Sequence, residues 1–472
     1  MSEIARRTEC PVSSIHGYLH GTRIPADVLA RIAVSFQVNP AWLLTGDGAP
    51  WTADVAPGTA TMAADVLQLV AAMEGVSKLK LGAISGKQPV VRELDDALTR
   101  HEQLSARLNR RSNEALEALI NDANRRIGDR DLDGAQALMH AASRLLRLSA
   151  DPAMRVQVGN IQAILARLAG RPAEALERYR DAFLASLPAR AQLGQDSFVI
   201  AWNYANALSL SGQVHESSQV CHATLLLGDA AVTSKPATLA FQLGWNDLWR
   251  GEMRSALARM AEWLPHIGGV QSQRVETPKY MYAQLLAGLL EPATAMETIP
   301  DSPNKGGMLA AWGFLHEDAE LLSAVYQRFF GGDPRFTDDA GGKLGGKATV
   351  AGFTEAMLRV LKRKDRKAPA AYEQGIDYTS FPGRREYHEF TVLVNACQLA
   401  RLAGLKSRAR KRHESASAAL AAMDRSLTPP PHDVARHWRN ALALDTPDAA
   451  QAREWFRDWS SRGYLCFRPW AA

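Results

Sequence analysis

Apolar residues recur every three or four positions along most of this chain, a spacing typical of helices with one buried face. In the first fifty residues, glycine and proline divide this pattern into short segments, as they do where small helices begin and end. From about residue 113 the chain is rich in alanine, leucine and arginine, and its pattern predicts successive pairs of helices. Few runs of β-branched residues interrupt it, so we predict an all-α fold.

The first segment predicts four short helices. They cover residues 4–8, residues 12–20, a stretch from Pro25 to Phe36, and a stretch that starts at Asn39-Pro40. In the second helix, Ile15 and Leu19 lie four residues apart and are expected on its buried face. Gly21 can adopt positive φ and is expected to end this helix. Residues 1–51 are therefore predicted to form a small all-α domain.

The long helical part contains an internal repeat. Small residues recur about forty positions apart in the second helix of each predicted pair, at Ala135, Ala175, Ser217 and Ala256. Glycine stands five residues before three of them, and a bulkier residue stands four residues after each, namely Met139, Tyr179, Cys221 and Met260. The glycine allows a tight turn, and the small residue allows two helices to approach closely. The pattern fades over residues 271–380 and returns once, with Gly404, Ala409 and Ala416 at the same offsets.

Residues 52–112 separate the head from the repeats. Residues 52–62 are small and polar and contain proline, which predicts a linker; residues 63–73 predict a helix and residues 77–91 a loop. Residues 93–110 predict a charged helix, which either joins two copies of the chain or packs on the repeats. We therefore divide the chain into a head at 1–51, connecting segments at 52–112 and a helical repeat domain at 113–472.

Two linked motifs order the apolar positions of the head. The first comprises Ile4-Ala5, Glu9-Cys10-Pro11, Ile15, Tyr18-Leu19 and Gly21, and the second comprises Leu29, Ile32-Ala33, Val38-Asn39-Pro40, Trp42-Leu43-Leu44 and Gly46. Together they resemble the phage-repressor (Cro/repressor-like) helix-turn-helix family. Glu9 stands at the turn where that family usually has glycine. The family's first helix has no counterpart, so we expect either a start upstream of Met1 or a core that another element completes.

The resemblance implies that the second helix enters the major groove of double-stranded DNA. The residues next to base edges would be Val12, Ser13, Ser14, His16 and Gly17, and those next to phosphates would be His20, Thr22 and Arg23. Serine can hydrogen-bond several bases, so direct readout is expected to discriminate weakly. A two-fold operator implies a homodimer. The alternative is a helix pair that packs on its neighbours and binds nothing.

The best copy of the internal repeat reads LARLAGRPAEALERYRDAF, and residues 205–225 and 243–263 follow the same pattern. These segments resemble tetratricopeptide repeats, although they recur at longer intervals than that family usually shows. The resemblance implies an α-solenoid whose concave side presents Asn160, Trp202, Asn206, Trp245 and Trp249. Asparagine can pair with a peptide backbone and tryptophan offers broad apolar contact, which suits a peptide or protein effector. Alternatively, the tryptophans only fill the seams between helices.

Composition changes this picture little. The 472 residues are 46% hydrophobic and 22% charged, and the net charge of +5 is mildly basic and compatible with nucleic acid. The four cysteines, Cys10, Cys221, Cys397 and Cys466, form no CxxC pair, so neither a zinc site nor a disulfide framework is indicated. The start has no secretory signal, and no apolar run is long enough to span a bilayer. We expect a cytoplasmic protein.

No motif indicates catalysis, a cofactor or a metal. Gly341, Gly346 and Lys347 approach a P-loop, but Ala348 stands where serine or threonine would hold magnesium. His432 and His437 are five residues apart, a spacing that does not bring both rings to one helix face. Basic runs at 362–367 and 406–412 indicate solvated helix faces or, alternatively, further contacts to the DNA backbone. We therefore do not expect an enzyme.

The two modules together resemble peptide-responsive bacterial transcription regulators. We expect a sequence-specific DNA-binding regulator whose repeats bind a peptide or protein effector, dimerise, or both. The alternative is a non-catalytic interaction scaffold whose head is vestigial or does not bind DNA.

Overall fold

A computed structural model describes residues 2–39, 42–43, 50–51, 88–187, 195–228, 235–269, 272–331, 350–376, 378 and 385–472. Within these ranges the regular structure is helical and contains no strand, so the all-α prediction is confirmed there; Val38 and Trp51 form an isolated antiparallel bridge. The chain divides into two compact units, Met1–Val158 and Gly159–Ala472. The predicted linker at 52–62, the helix at 63–73 and the P-loop-like residues Gly341, Gly346 and Lys347 lie outside the described residues, as does most of the fourth helix predicted in the head.

The described helices of the head are α1 (Ser2–Thr8), α2 (Val12–Leu19) and α3 (Ala26–Phe36). Helix α1 packs against both α2 and α3. The Ser35 hydroxyl donates to the carbonyl of Arg7 at 3.1 Å, and the Arg7 guanidinium lies 5.2 Å from the centre of the Phe36 ring. Buried side chains from all three helices form a small core: Ala5, Thr8, Ile15, Val28 and Ala33.

The turns around α2 follow the sequence closely, but its buried face is shorter than predicted. Glu9 takes the left-handed conformation expected at the turn (φ 52), a strain of about 1 kcal/mol for a residue with a side chain. Gly21 also has positive φ (93), as predicted. The expectation that Leu19 is buried was wrong, because Leu19 is the last residue of α2 and is 65% exposed. A buried stripe needs a facing element, and none of the described elements covers this final turn.

Helix α4 (Gln88–Gly128) is a single helix of 41 residues. It includes the predicted charged helix and the last residues of the predicted loop, and it runs through the boundary placed at residue 112. It packs against α5 (Leu132–Leu145). The segment after α5 is held on α4 by two asparagines, since Asn109 accepts from the backbone N–H of Ala150 at 2.7 Å and Asn113 accepts from the Ser149 hydroxyl at 2.6 Å.

The boundary between the units falls inside α6 (Pro152–Leu168). The helices that follow are α7 (Pro172–Ser186), α8 (Gln195–Leu210), α9 (Val214–Leu227), α10 (Lys235–Trp249), α11 (Met253–Trp263), α12 (Thr277–Leu286), α13 (Pro292–Thr298), α14 (Pro303–His316), α15 (Ala319–Val325), α16 (Val350–Arg363), α17 (Ala368–Gln374), α18 (Arg385–Leu402), α19 (Lys406–Ala422), α20 (Pro431–Leu444) and α21 (Ala449–Ser461). Consecutive helices pack as pairs, notably α8 with α9, α10 with α11, and α18 with α19, and the first helices α8 and α10 also contact each other.

The repeated positions of the sequence have repeated structural roles. The small residues Ala135, Ala175, Ser217, Ala256 and Ala409 are buried, as are Met139, Tyr179, Cys221 and Met260 four residues after the first four of them. The glycines five residues before the small ones turn with positive φ: Gly170 (73), Gly212 (80), Gly251 (82) and Gly404 (75). The first pair has Arg130 at this position, and it adopts the same conformation (φ 64). The backbone of the turn is therefore retained even where glycine is not.

The core of the second unit includes many aromatic side chains among its aliphatic ones. Phe241, Phe329, Phe353, Phe390 and Phe456 are among its largest fully buried side chains. The end of the chain belongs to this core, since the buried Tyr464 hydroxyl donates to the carbonyl of Leu248 in α10. Among the described helices, none is both long and apolar enough to cross a lipid bilayer.

Candidate functional site

The residues predicted to contact DNA lie on and just after α2, and most of them face solvent. The exposed ones are Val12, Ser13, His16, His20, Thr22 and Arg23, and the half-buried ones are Ser14 and Gly17. Ile15, on the opposite side of the helix, is buried and anchors it in the head. The rings of His16 and His20 lie side by side, with centroids 4.3 Å apart. We call these eight residues the α2 face.

The backbone after α2 turns back against the helix. The backbone N–H of Thr22 donates to the carbonyl of Gly17 at 3.0 Å, and Gly21 makes the turn with positive φ. A Cβ atom on Gly17 would lie 3.3 Å from the Thr22 hydroxyl oxygen, so a larger residue would require that hydroxyl to shift by a few tenths of an ångström. Because of this close approach, Thr22 and Arg23 lie at the end of α2 and not in a free loop.

Ion pairs inside the head engage three of its arginines with two carboxylates. Arg6 and Arg7 both donate to Glu3. Their hydrogen bonds, of which that from Arg6 has the larger effect, lower the pKa of the Glu3 carboxyl to about 2. Arg31 donates to Asp27 at 2.7 Å. The positive charge that the head offers to a phosphate backbone is therefore small, in line with the balance of charges in its sequence.

The predicted effector residues on α6 and α8 are half-buried and partly engaged with each other's helices. The Asn160 side-chain carbonyl accepts from Asn203 at 2.9 Å, which joins α6 to α8. Trp202 is half-buried, and its indole N–H is buried without a hydrogen-bond partner among the described residues. Asn206, one turn further along α8, is also half-buried. Each of these residues retains some solvent access through which a ligand could reach it.

The two predicted effector residues on α10 differ in exposure. Trp245 is only 8% exposed and belongs to the core, where its ring lies 6.4 Å from that of Tyr282 and 5.7 Å from the Lys279 ammonium. Trp249 is half-buried and meets Trp245 edge to face at 5.9 Å. Trp245 thus fills a seam between helices, the alternative considered from the sequence, and only Trp249 retains access to solvent.

A network of buried polar side chains lies beside these tryptophans and was not predicted from the sequence. Lys279 donates to Gln242 at 3.1 Å, Gln242 donates to Asn246 at 3.1 Å, and Asn246 donates to Ser217 at 2.9 Å. Gln242 and Asn246 are fully buried and lie one turn apart on α10. Their spacing of four residues among apolar neighbours was a signal for such a network, but their partners could not be identified without the packing of the helices. Since these polar groups satisfy one another's hydrogen bonds, we assign this network of side chains a structural role.

The two basic runs meet in the second unit. Arg366 of the first run and Lys406 and Lys411 of the second line one cavity of about 690 Å³. Other members of the second run are paired, because Arg408 and Arg412 both contact Glu373, at 3.2 and 2.5 Å. These ion pairs link α19 to α17.

The histidines considered for a metal site are not partners of each other. His432 meets Tyr282 edge to face at 5.7 Å, whereas the His437 ring stacks on that of His413 at 4.5 Å. Asp448 completes this second group by contacting His413. No sequence motif singles out His413 or Asp448, although one signal is present: His413 stands four residues after Ala409, at the position where the other copies place a bulky core residue.

In comparison with known proteins, no protein-family model matches the chain, and no curated protein sequence matches it.

Proposed function

We propose that this chain is a sequence-specific DNA-binding regulator with a repressor-like helix-turn-helix head. Its tetratricopeptide-like helix pairs would bind a peptide or protein effector, dimerise, or both. The observation that supports the proposal most directly is the α2 face, where exposed, short polar side chains lie on a helix anchored from behind by the buried Ile15. A helix that presents such groups can reach base edges in the major groove.

In this proposal the α2 face divides its contacts by type. Ser13, Ser14 and His16 would meet base edges, with Val12 against a thymine methyl group. Thr22 and Arg23 would meet phosphates, which position the helix without specifying a sequence. Removing one side chain that neutralises a phosphate should reduce the slope of log K against log salt by about 0.9, hence by about 2 for a dimer.

The effector would bind where the first helices α6, α8 and α10 present Asn160, Trp202, Asn206 and Trp249. These side chains combine amide groups with half-buried indole rings, the chemistry that binds a peptide backbone together with an apolar side chain. The effector would then favour one packing of the helix pairs over another and so alter DNA binding.

The DNA-binding part is tested by selecting from a pool of random duplex DNA with the full chain and titrating the selected site against salt. Arg23→Ala should weaken binding and lower the salt slope, while Ser13→Ala should relax sequence preference. Arg6→Ala serves as the matched control, because Arg6 is bound to Glu3 on α1 and is not part of the α2 face. Equal losses for Arg23→Ala and Arg6→Ala would contradict the assigned face.

The effector part is tested by selecting a library of displayed random peptides on the full chain. Asn206→Ala should abolish capture of the selected peptides, whereas Asn124→Ala, an exposed asparagine on α4, should leave it unchanged. Capture that survives Asn206→Ala would place the effector elsewhere.

One observation favours the second candidate function, an interaction scaffold with a head that does not bind DNA. The arginines of α1 are held by Glu3, so the head has little free positive charge for a phosphate backbone. The same DNA selection separates the two functions: a scaffold enriches no sequence and binds all DNA weakly.

A further inference from the structure

Two buried histidines and an aspartate meet in the second unit. His413 lies on α19, His437 lies on α20, and Asp448 immediately precedes α21. Each offers a ligand atom, and these atoms lie within 4.8 Å of one another. Both imidazoles are at most 2% exposed, and Asp448 is half-buried. We propose that this His413–His437–Asp448 cluster binds a divalent transition metal, with zinc as the ion that best matches two imidazoles and one carboxylate.

The geometry requires only a small adjustment to hold zinc. Ligand atoms around tetrahedral zinc lie about 3.3 Å apart, given metal–ligand distances near 2.0 Å. The His413 Nε2 and the Asp448 Oδ2 are already 3.0 Å apart. Since the ligand atoms all lie within 4.8 Å of one another, the His437 nitrogen must approach the other two by at most about 1.5 Å. The two rings are stacked with planes 15° apart, and since ring lone pairs lie in the plane, one imidazole must tilt to converge on the ion.

A simple histidine–aspartate pair accounts for only part of His413. Its Nε2 contacts Asp448, but its Nδ1 is buried and has no hydrogen-bond partner among the described residues. A buried polar atom without a partner is destabilising. A histidine buried at this cost is expected to do more than pair with Asp448, and coordination of a metal through Nε2 would be such a role.

A cavity gives the cluster an entry path and a place for a further ligand. The cavity holds about 520 Å³, and His413, Ser417 and Asp448 all line it. The Ser417 hydroxyl lies 3.3 Å from the His437 Nε2. Three protein ligands beside an accessible space are typical of a zinc site whose fourth position is filled by water or substrate. The cluster therefore suits an open site better than a closed structural one.

The neighbours of Asp448 orient its carboxylate. The Thr446 hydroxyl donates to Oδ1, and the Ser417 hydroxyl lies 3.5 Å from Oδ2. Hydrogen bonds of this kind fix the direction of a metal-binding carboxylate, and their loss commonly weakens metal affinity tenfold or more. The position of His413 supports the same interpretation, because the other repeats place an apolar or weakly polar residue there and a buried imidazole is costly without a role.

The test is to remove bound metal from the full chain with a chelator and then titrate the chain with zinc in a calorimeter. The absorption bands of Co²⁺ bound in place of zinc report independently on the ligands. We expect about one zinc per chain at micromolar affinity or tighter. Asp448→Asn and His437→Phe should each weaken zinc binding at least tenfold and remove the Co²⁺ bands. Thr446→Val should weaken binding about tenfold. Phenylalanine retains a ring that can stack on His413, so His437→Phe also serves if another variant folds poorly.

Asp445→Asn is the matched control. Asp445 lines the same cavity without belonging to the cluster, and asparagine tolerates its left-handed backbone (φ 48). This variant should bind zinc like the unmodified chain. Absence of zinc binding, or the same affinity in all variants, would overturn the proposal, the latter by showing that zinc binds elsewhere. Circular dichroism of each variant without metal separates loss of a ligand from loss of fold.

Discussion

The turns between helix pairs permit a matched test of what their glycines do. Gly212 and Gly404 stand at equivalent turns, five residues before Ser217 and Ala409, and their φ angles are 80° and 75°. They differ in what surrounds them. A Cβ atom on Gly212 would lie 2.5 Å from Cε2 of the buried Tyr387 ring, whereas a Cβ atom on Gly404 would have nothing within 4 Å.

The expected losses follow from these two environments. Gly404→Ala places a side chain in the left-handed conformation, which should lower the free energy of unfolding by about 1–2 kcal/mol. Gly212→Ala introduces the same strain and also forces Tyr387 to move within a packed core, which adds about 1–3 kcal/mol. Alanine also restricts the unfolded chain by a few tenths of a kcal/mol or more, but it does so equally in both variants. The difference between them therefore measures the clash.

The assay is urea unfolding of the full chain followed by circular dichroism at 222 nm, a wavelength that reports on helices, with the two variants compared at one pH. The effect of Tyr387 is isolated by repeating Gly212→Ala in a Tyr387→Leu background, where the destabilisation should fall to that of Gly404→Ala. Equal destabilisation by the two single variants would refute the reasoning. It would mean that backbone strain alone determines the choice of glycine and that Tyr387 yields freely.

Three further predictions concern single side chains of the fold. Burial lowers the pKa of His316 from 6.5 to about 4, so the unfolded chain takes up the proton first as the pH falls. The free energy of unfolding should therefore fall by about 3 kcal/mol between pH 6.5 and pH 4. His316→Phe should abolish this part of the pH dependence, as measured by urea unfolding at about pH 7.5 and 5. Arg436→Met leaves the buried Asp433 without its 2.9 Å ion pair and should lower the free energy of unfolding by about 3–5 kcal/mol. The control Arg457→Met, at an exposed position, should lower it by less than about 0.5 kcal/mol. Equal shifts of the thermal midpoint in the two variants would contradict this prediction. Arg130→Gly relieves a left-handed arginine (φ 64) and should stabilise by about 0.5–1 kcal/mol, so a lower unfolding midpoint would show that the interactions of the arginine side chain outweigh the strain.

Features that depend on neighbours in the sequence could be predicted well. The buried small residues, such as Ala135 and Ala256, and the turning glycines follow from local spacing, and their burial and positive φ are confirmed. The exposed character of most of the α2 face follows from the same logic, because Ile15 fixes which side of the helix is buried. Arg130 shows the limit of this logic: the turn is dictated by helix packing, and a residue other than glycine can occupy it.

Features that depend on which helices meet could not be predicted. Leu19 has helical spacing from Ile15, yet no described element covers it. Trp245 was placed on a concave surface, but packing of α10 against α12 buries it beside Tyr282. The His413–His437–Asp448 cluster brings together residues from α19, from α20 and from the segment just before α21. The spacing of residues along the sequence does not show which helices contact each other, because these contacts depend on the tertiary arrangement.

The buried charges of the second unit bear on where an effector could act. Glu317, which ends α14 in a left-handed conformation (φ 58), accepts hydrogen bonds from Gln398 and Arg401 of α18 and from Arg439 of α20. Sliding these helices would separate charges that lie largely out of water, at a cost of several kcal/mol. By contrast, the described polar link between α6 and α8 is the uncharged hydrogen bond from Asn203 to Asn160. An effector with a few kcal/mol of differential affinity could rearrange that interface but not the charged one. The shift that we propose for regulation therefore belongs to α6 and α8, which present Asn160, Trp202 and Asn206, while α14, α18 and α20 remain fixed.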